Sequence, residues 1–168
     1  MSVKLRKIIE NKLLIGKDEW CELPELKIPL IKAKVDTGAK TSAIHAFNIK
    51  KIIRRQKYFA TFDMHPLQAN TTLTIHCCAL IIDERDIMSS NGHKEKRLII
   101  QTDLTLGKQT WPIEISLSNR DPLKYRFLLG REALKSRVLI DPDHTHYQKK
   151  ATKRKIMEIY QIDKMTDN

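Results

Sequence analysis

Lys32-Ala33-Lys34-Val35-Asp36-Thr37-Gly38-Ala39-Lys40-Thr41-Ser42 carries the decisive pattern of this chain. Its first half alternates, with Ile31, Ala33 and Val35 on one face and Lys32 and Lys34 on the other, which is the period of a half-buried strand. The strand runs straight into a carboxylate followed by small residues. Gly38 permits a tight turn that leaves the Asp36 carboxylate unobstructed, and Thr37 can brace the loop through its hydroxyl. Two readings stand side by side: Asp-Thr-Gly is a common turn tripeptide, and it is also a way to present a carboxylate for chemistry.

Moving outward, the chain reads as strand after strand. Residues 58–62 and 72–82 are strand-like, with Leu73, Ile75, Cys77, Ala79 and Ile81 forming the apolar face of the second. Residues 83–96 are polar and hold Ser89-Ser90-Asn91-Gly92, whose Asn-Gly pair favours a hairpin turn. Leu98, Ile100, Thr102, Leu104 and Leu106 alternate again, Gly107-Lys108 marks a turn, and Trp111, Ile113, Ile115 and Leu117 make a return strand. Pro112, on the opposite face of that strand, cannot donate to a ladder and predicts an edge or an outward N–H. Phe127-Leu128-Leu129 is a short buried strand stopped by Gly130, residues 131–135 supply a helical turn or two, and Val138-Leu139-Ile140 is a last core strand. The expectation is an all-β, barrel-like domain at 13–147, between a basic arm at 1–12 and a basic extension at 148–168.

The 168 residues are one domain's worth, and 41% hydrophobic residues suffice for one core. No apolar run approaches the roughly 18 to 20 residues that cross a bilayer, and the N-terminus has no apolar signal core, so a cytoplasmic chain without a membrane is expected. A formal charge of +11 favours anionic partners, or simply solubility. In the tail, 149–155 holds five basic residues in seven, and Ile156, Ile159 and Tyr160 follow at helical spacing. That segment either touches phosphates or packs its apolar stripe on the barrel or on a twin subunit. It lacks a recognisable reader module, so nucleic acid is not an expected partner. Cys21, Cys77 and Cys78 read as free thiols, since neighbours on a strand point to opposite faces. His144-Thr145-His146 beside Asp141 and Asp143 is read as a chance surface cluster, and no His-Glu-x-x-His occurs; neither a metal nor a cofactor is expected.

The order of these pieces resembles the retropepsin-like aspartic peptidases, in particular a bacterial branch labelled "ATP-dependent zinc protease" and linked with an ATP-grasp ligase of the glutamate-adding type. The pieces are the 32–42 stretch, Ser89-Ser90-Asn91-Gly92 ahead of Arg97, Phe127-Leu128-Leu129-Gly130-Arg131-Glu132-Ala133-Leu134, Val138-Leu139-Ile140-Asp141-Pro142, and the upstream Trp20 and Leu23-Pro24-Glu25-Leu26. The resemblance implies a retropepsin-like fold, with Asp36 of the Asp36-Thr37-Gly38 loop as the catalytic aspartate. It also implies substrate contacts at Ala39, Lys40 and Arg131, and a flap over residues 83–97 with Ser90, Asn91 and Gly92 near its tip. Lys40 departs from the family pattern, which puts an acid there to pair with the Arg of Gly-Arg; Arg131 must find another partner, with Glu132 and Asp141 as candidates.

Acid-protease chemistry needs two carboxylates sharing one proton, and the chain holds one Asp-Thr-Gly. The second acid is therefore expected from a second copy across a two-fold axis. The expected partners are a peptide or protein substrate, a second subunit and, through the resemblance, an ATP-grasp ligase. A catalytically inactive module that grips a peptide or a partner enzyme is the competing reading.

Overall fold

The computed structural model describes residues 11–89, 91–119 and 124–162. In chain order the strands are β1 (Leu13–Ile15), β2 (Asp18–Leu23), β3 (Ile28–Asp36), β4 (Ser42–His45), β5 (Phe47–Arg54) and β6 (Lys57–Met64). They continue as β7 (Ile75–Met88), β8 (Lys94–Leu106), β9 (Gln109–Ser118), β10 (Phe127–Gly130) and β11 (Val138–Ile140). A single 3-10 turn, Pro24–Leu26, separates β2 from β3, while helices α1 (Arg131–Leu134) and α2 (Lys153–Tyr160) come late. The fold is all-β with sparse helix, as the alternation predicts.

One sheet takes nine strands in the order β2-β3-β10-β4-β9-β8-β7-β6-β5, and a further pairing of β2 with β8 at Glu22 and Thr105 curls it back on itself. The inner surface is the core: Ile31 and Ala33 of β3, Phe62 of β6, Ile100 and Leu104 of β8, Ile115 of β9 and Phe127 of β10 are all buried. Alternation decides which side chains point inward. Gly107, at a φ of 62°, makes the two-residue turn between β8 and β9 that the Gly107-Lys108 pair predicts.

Pro112 sits in an interior strand, yet its position follows the rule. β9 pairs with β4 only from Ile115 to Ser118, so at Pro112 the strand has a ladder partner on the β8 side alone, where Asp103 faces it. The other side is covered by α1, to which Trp111 donates through Nε1 to the Ala133 carbonyl at 2.9 Å. Val138–Ile140 differs from expectation. β11 leaves the main sheet to pair in parallel with β1, and Leu139 is 36% exposed beside Leu14, so the strand only flanks the core. Alternation reports faces, and it cannot say which neighbour a three-residue strand will find.

Helix α2 starts at Thr152, whose hydroxyl accepts from the Lys155 N–H at 3.2 Å. Ile156, Ile159 and Tyr160 pack on Trp20, Leu30 and Leu67 in a second small cluster outside the barrel, and the Tyr160 hydroxyl donates to the Leu30 carbonyl. Of the two readings of the tail, the barrel-packed one describes this arrangement.

Candidate functional site

β10 positions the Asp36 loop. It lies between β3 and β4, parallel to β3 with Gly130 opposite Asp36, and antiparallel to β4 with Phe127 opposite Ile44. Gly130 is needed for a steric reason: a Cβ there would stand 2.6 Å from the Thr41 carbonyl carbon and 2.7 Å from the Ser42 nitrogen. In that close packing the Gly130 N–H donates to the buried Ser42 hydroxyl at 3.0 Å.

The loop itself is held from two sides. Inside it, the Gly38 N–H donates to Asp36 Oδ1 at 3.2 Å and the Ala39 N–H to the Asp36 carbonyl at 3.3 Å. From outside, the first backbone N–H groups of α1 reach back: Arg131 donates to the Ala39 carbonyl at 2.8 Å and Glu132 to the Lys40 carbonyl at 3.1 Å. The Arg131 guanidinium donates to the Thr37 carbonyl at 2.8 Å. Among the described residues Arg131 has no carboxylate partner; neither Glu132 nor Asp141 takes that part. Thr37 thus braces the loop with its carbonyl rather than its hydroxyl. Gly38 does not take a left-handed φ, and a Cβ there would meet only Asp36 Oδ1 at 3.4 Å, an ordinary contact. Asp36 is half-buried, Thr37, Gly38 and Lys40 are exposed, and Ala39 is half-buried. The carboxylate therefore sits at the rim of the chain with no second acid bonded to it among the described residues.

A cavity of about 590 Å³ opens beside the loop, lined by Lys40, Thr41, Arg85, Glu114 and Glu132 among others, and not by Asp36 itself. Arg85 reaches it from the β7–β8 ribbon, held by Asp83 at 2.6 Å and Glu114 at 2.7 Å. Beyond Ile81, β7 pairs only with β8, down to Met88 opposite Lys94, so the two strands make a free-standing ribbon. The turn closes through Ser89 N–H to the His93 carbonyl at 2.8 Å, with Gly92 at a φ of 82°. Ser90 lies outside the described residues; Asn91 and Gly92 are at the turn, while the base of the ribbon lines the cavity.

Two buried acids were missed by sequence reasoning. Glu19, with no exposure, accepts from the backbone N–H groups of Gly16 at 2.9 Å, Tyr147 at 2.8 Å and Gln148 at 3.2 Å, which ties the 144–148 segment to β2. Asp18 accepts from the Tyr125 hydroxyl at 2.8 Å, and burial together with that acceptor pushes the phenol up to about 12. The only signal for either is an acidic pair directly ahead of Trp20-Cys21 in a run that buries almost every residue.

The histidine cluster does not converge. His146 Nε2 lies 2.7 Å from Asp18 Oδ1 in ion-pair rather than hydrogen-bond geometry, while His144 turns to Asp141 at 2.8 Å. Among the described residues no three His, Cys, Asp or Glu side chains gather as metal ligands. Cys21 and Cys77 are buried and Cys78 is exposed, all as free thiols.

Residues 14–151 match the family model described as "RimB-like: Retropepsin-like aspartic endopeptidase RimB". The chain belongs to this RimB-like, retropepsin-like family. Curated relatives include proteins named probable alpha-L-glutamate ligase: one from Shewanella pealeana is 44% identical over 81% of this chain, and one from Desulfotalea psychrophila is 49% identical over 78%. The chain spans only about 30% and 28% of those relatives' lengths. A crystal structure of a Legionella pneumophila protein of unknown function superposes with a TM-score of 0.70 at 26% identity, covering 82% of this chain and 98% of that one. No helix among the described residues is long and apolar enough to cross a membrane.

Proposed function

We propose that this chain is one subunit of an aspartic-type peptidase, acting on peptides of acidic or glutamate-rich character through a carboxylate pair contributed by two copies. The observation that carries the reading is the Asp36 loop: a half-buried carboxylate at the end of β3, braced by Gly38, the Gly130 strand and the start of α1. A lone carboxylate activates water poorly, because amide hydrolysis also needs an acid to protonate the carbonyl side. When two such groups stand about 3 Å apart they cannot both ionise cheaply and share one proton. The charged member then takes a proton from the attacking water while the neutral member donates to the carbonyl oxygen. A two-fold dimer puts the same residue on both sides of its axis, which suits a loop left at the rim of a single chain. Thr37 and Gly38 shape the loop, Ala39, Lys40 and Arg131 flank it, and the ribbon carrying Ser90, Asn91 and Gly92 serves as the cover over bound peptide.

The net charge of +11 favours acidic substrates. The names of the relatives point the same way: a protein that adds glutamate and a domain that removes it act on one polymer. A ligase of that kind, fused or separate, is the proposed functional partner.

The test is digestion of a mixed peptide library, glutamate-tailed peptides included, from about pH 3 to about pH 8, by wild type and by Asp36→Asn. Wild type is expected to cut, with the variant slower by roughly 10²-fold or more. Equal products from both proteins would remove Asp36 from the mechanism. A chain that stays monomeric and binds peptides without cutting them would leave the binding-module reading in its place.

A further inference from the structure

The nine-stranded sheet contains a break. From Ile75 to Leu80, β7 pairs with β6; its ladder with β8 begins only at Ile81 opposite Ile100. From Gln101 onward β8 pairs with β9, and its opposite edge meets a strand only at Thr105. The first half of β7 and the second half of β8 therefore diverge, and their facing edges have no mutual ladder.

A cleft of about 340 Å³ lies in this gap, with Leu26 of the Pro24–Leu26 turn among its lining residues. Two groups in it lack ordinary strand partners. The Thr102 hydroxyl, on a residue only 1% exposed, has no hydrogen-bond partner. The Asp103 N–H, an edge donor, is satisfied by a side chain, Glu25 Oε2 at 2.9 Å, instead of by a strand. An orphan hydroxyl at this depth costs about 1–3 kcal/mol unless something completes it.

The cleft is not isolated. It shares Gln101 and Pro112 with the cavity beside Lys40, and Cys78 with a third cavity of about 590 Å³ bounded by Asn48, Lys50, Asp63 and His76. Gln101 faces Glu114 and Asp103 faces Pro112 across one ladder, as Thr61 faces Cys78 and Phe59 faces Leu80 across the other. These side chains share the outward face of the sheet, so the three hollows form one track. At its far end the Asp63 charge is already answered, by Asn48 Nδ2 at 2.9 Å and by His76 Nδ1. Lys50 stands beside them with no ion pair among the described residues.

We propose that this track is a remote binding site for an extended, carboxylate-bearing stretch of the polypeptide whose bond is presented to the Asp36 loop, ending at Lys50 and His76. The four strand spacings from β9 to β5 span about 19 Å, the length of roughly six residues of extended peptide. Open strand edges and an unpaired hydroxyl suit a peptide backbone, which brings its own donors and acceptors. The proposal rests on the peptidase reading for what happens at the loop, but binding along the track does not require catalysis.

Cys78 lies where two of the hollows meet, and it can report on occupancy. Cys21 and Cys77 are buried, and desolvation pushes the Cys77 thiol up to about 12 and that of Cys21 further still. A bulky maleimide should therefore label Cys78 alone, and Cys78→Ser protein should take up none. The experiment uses full-length Asp36→Asn protein, with decaglutamate and triglutamate as probes and binding followed by fluorescence anisotropy. Decaglutamate at about ten times its Kd is expected to slow Cys78 labelling roughly tenfold. Triglutamate should leave labelling unchanged, and Lys50→Glu should abolish the protection. No decaglutamate binding, binding without protection, or equal protection by triglutamate overturns the track. Protection in a wild-type protein that cuts no peptide refutes the peptidase reading alone, whereas cutting without protection refutes the track alone.

Discussion

Replacing Gly130 by alanine should damage the fold far more than the same change at Gly38, although both glycines adjoin the Asp36 loop. At Gly130 the added methyl would stand 2.6 Å from the Thr41 carbonyl carbon, 2.7 Å from the Ser42 nitrogen and 2.9 Å from the Thr41 oxygen, all backbone atoms. Carbon contacts are comfortable at about 3.5–4.0 Å, so β10 and the start of β4 must part by roughly 1 Å. Overpacking of that kind costs about 1–3 kcal/mol. Parting also stretches the bond from Gly130 N–H to the Ser42 hydroxyl, now 3.0 Å, for about another 1 kcal/mol. The sum, about 2–4 kcal/mol, should lower the melting temperature by roughly 10 °C in a domain of this size. At Gly38 the new methyl meets only Asp36 Oδ1 at 3.4 Å, and stability should stay within about 1 kcal/mol of wild type. Calorimetric melting of the two variants decides the matter: a Gly130→Ala protein that melts with wild type, or a less stable Gly38→Ala, would refute the packing argument.

Glu19→Gln keeps the shape of the side chain but turns an amine toward at least one of three backbone donors, and should cost about 1–3 kcal/mol with faster hydrogen exchange at Tyr147 and Gln148; unchanged exchange there would count against the tie. Ile156→Ala empties the contact between α2 and the Trp20–Leu30–Leu67 patch, for a loss of about 2–4 kcal/mol and a shift in tryptophan fluorescence, and an unaltered emission spectrum would show that the helix does not dock as described. Hydrogen bonds from Asn48 and His76 hold the Asp63 carboxyl below its ordinary value. Its stabilising contribution is thus complete above the unfolded value near 4 and is lost as pH falls through the lower folded value, so denaturation curves of Asp63→Asn should lose less stability on acidification below about pH 4 than wild type. Arg131→Ala removes the guanidinium from the Thr37 carbonyl at an exposed position; stability should change by no more than about 1 kcal/mol while the proposed cleavage slows, and full activity would deny Arg131 a part in positioning the loop.

Much of the barrel was legible because strand alternation is a property of single segments. Ile31, Ala33 and Val35 against Lys32 and Lys34 told the two faces of β3 apart, and Gly107-Lys108 marked a turn that the chain does make. Pro112 announced a missing ladder partner, and the ladder with β4 indeed starts three residues later. Partnership between distant segments was not legible. Nothing in Phe127-Leu128-Leu129-Gly130 says that it slots between β3 and β4, so the true demand on Gly130, set by Thr41 and Ser42, stayed hidden. The same holds for Arg131, whose partner is a backbone carbonyl that has no letter in the sequence. Glu19 was invisible for a related reason: its three donors are main-chain N–H groups, two of them contributed by residues 128 and 129 positions further along. The ribbon was read correctly as a hairpin, but its link to the loop cavity runs through Arg85 and Glu114, a cross-strand contact with no local signature.

The placement of β10 bears on how the molecule comes into being at the ribosome. Thr37 and Arg131, which brace each other, are 94 positions apart, and the strand that flanks Asp36 emerges only after most of the barrel has been synthesised. Until then β3 and β4 stand as open edges with a slot between them, and such distant pairing is intrinsically slow to form. A nascent or truncated chain ending before residue 127 would have the Asp36 tripeptide without the scaffold that shapes it. Construction order alone thus keeps that carboxylate from being assembled for work before the polypeptide is nearly complete.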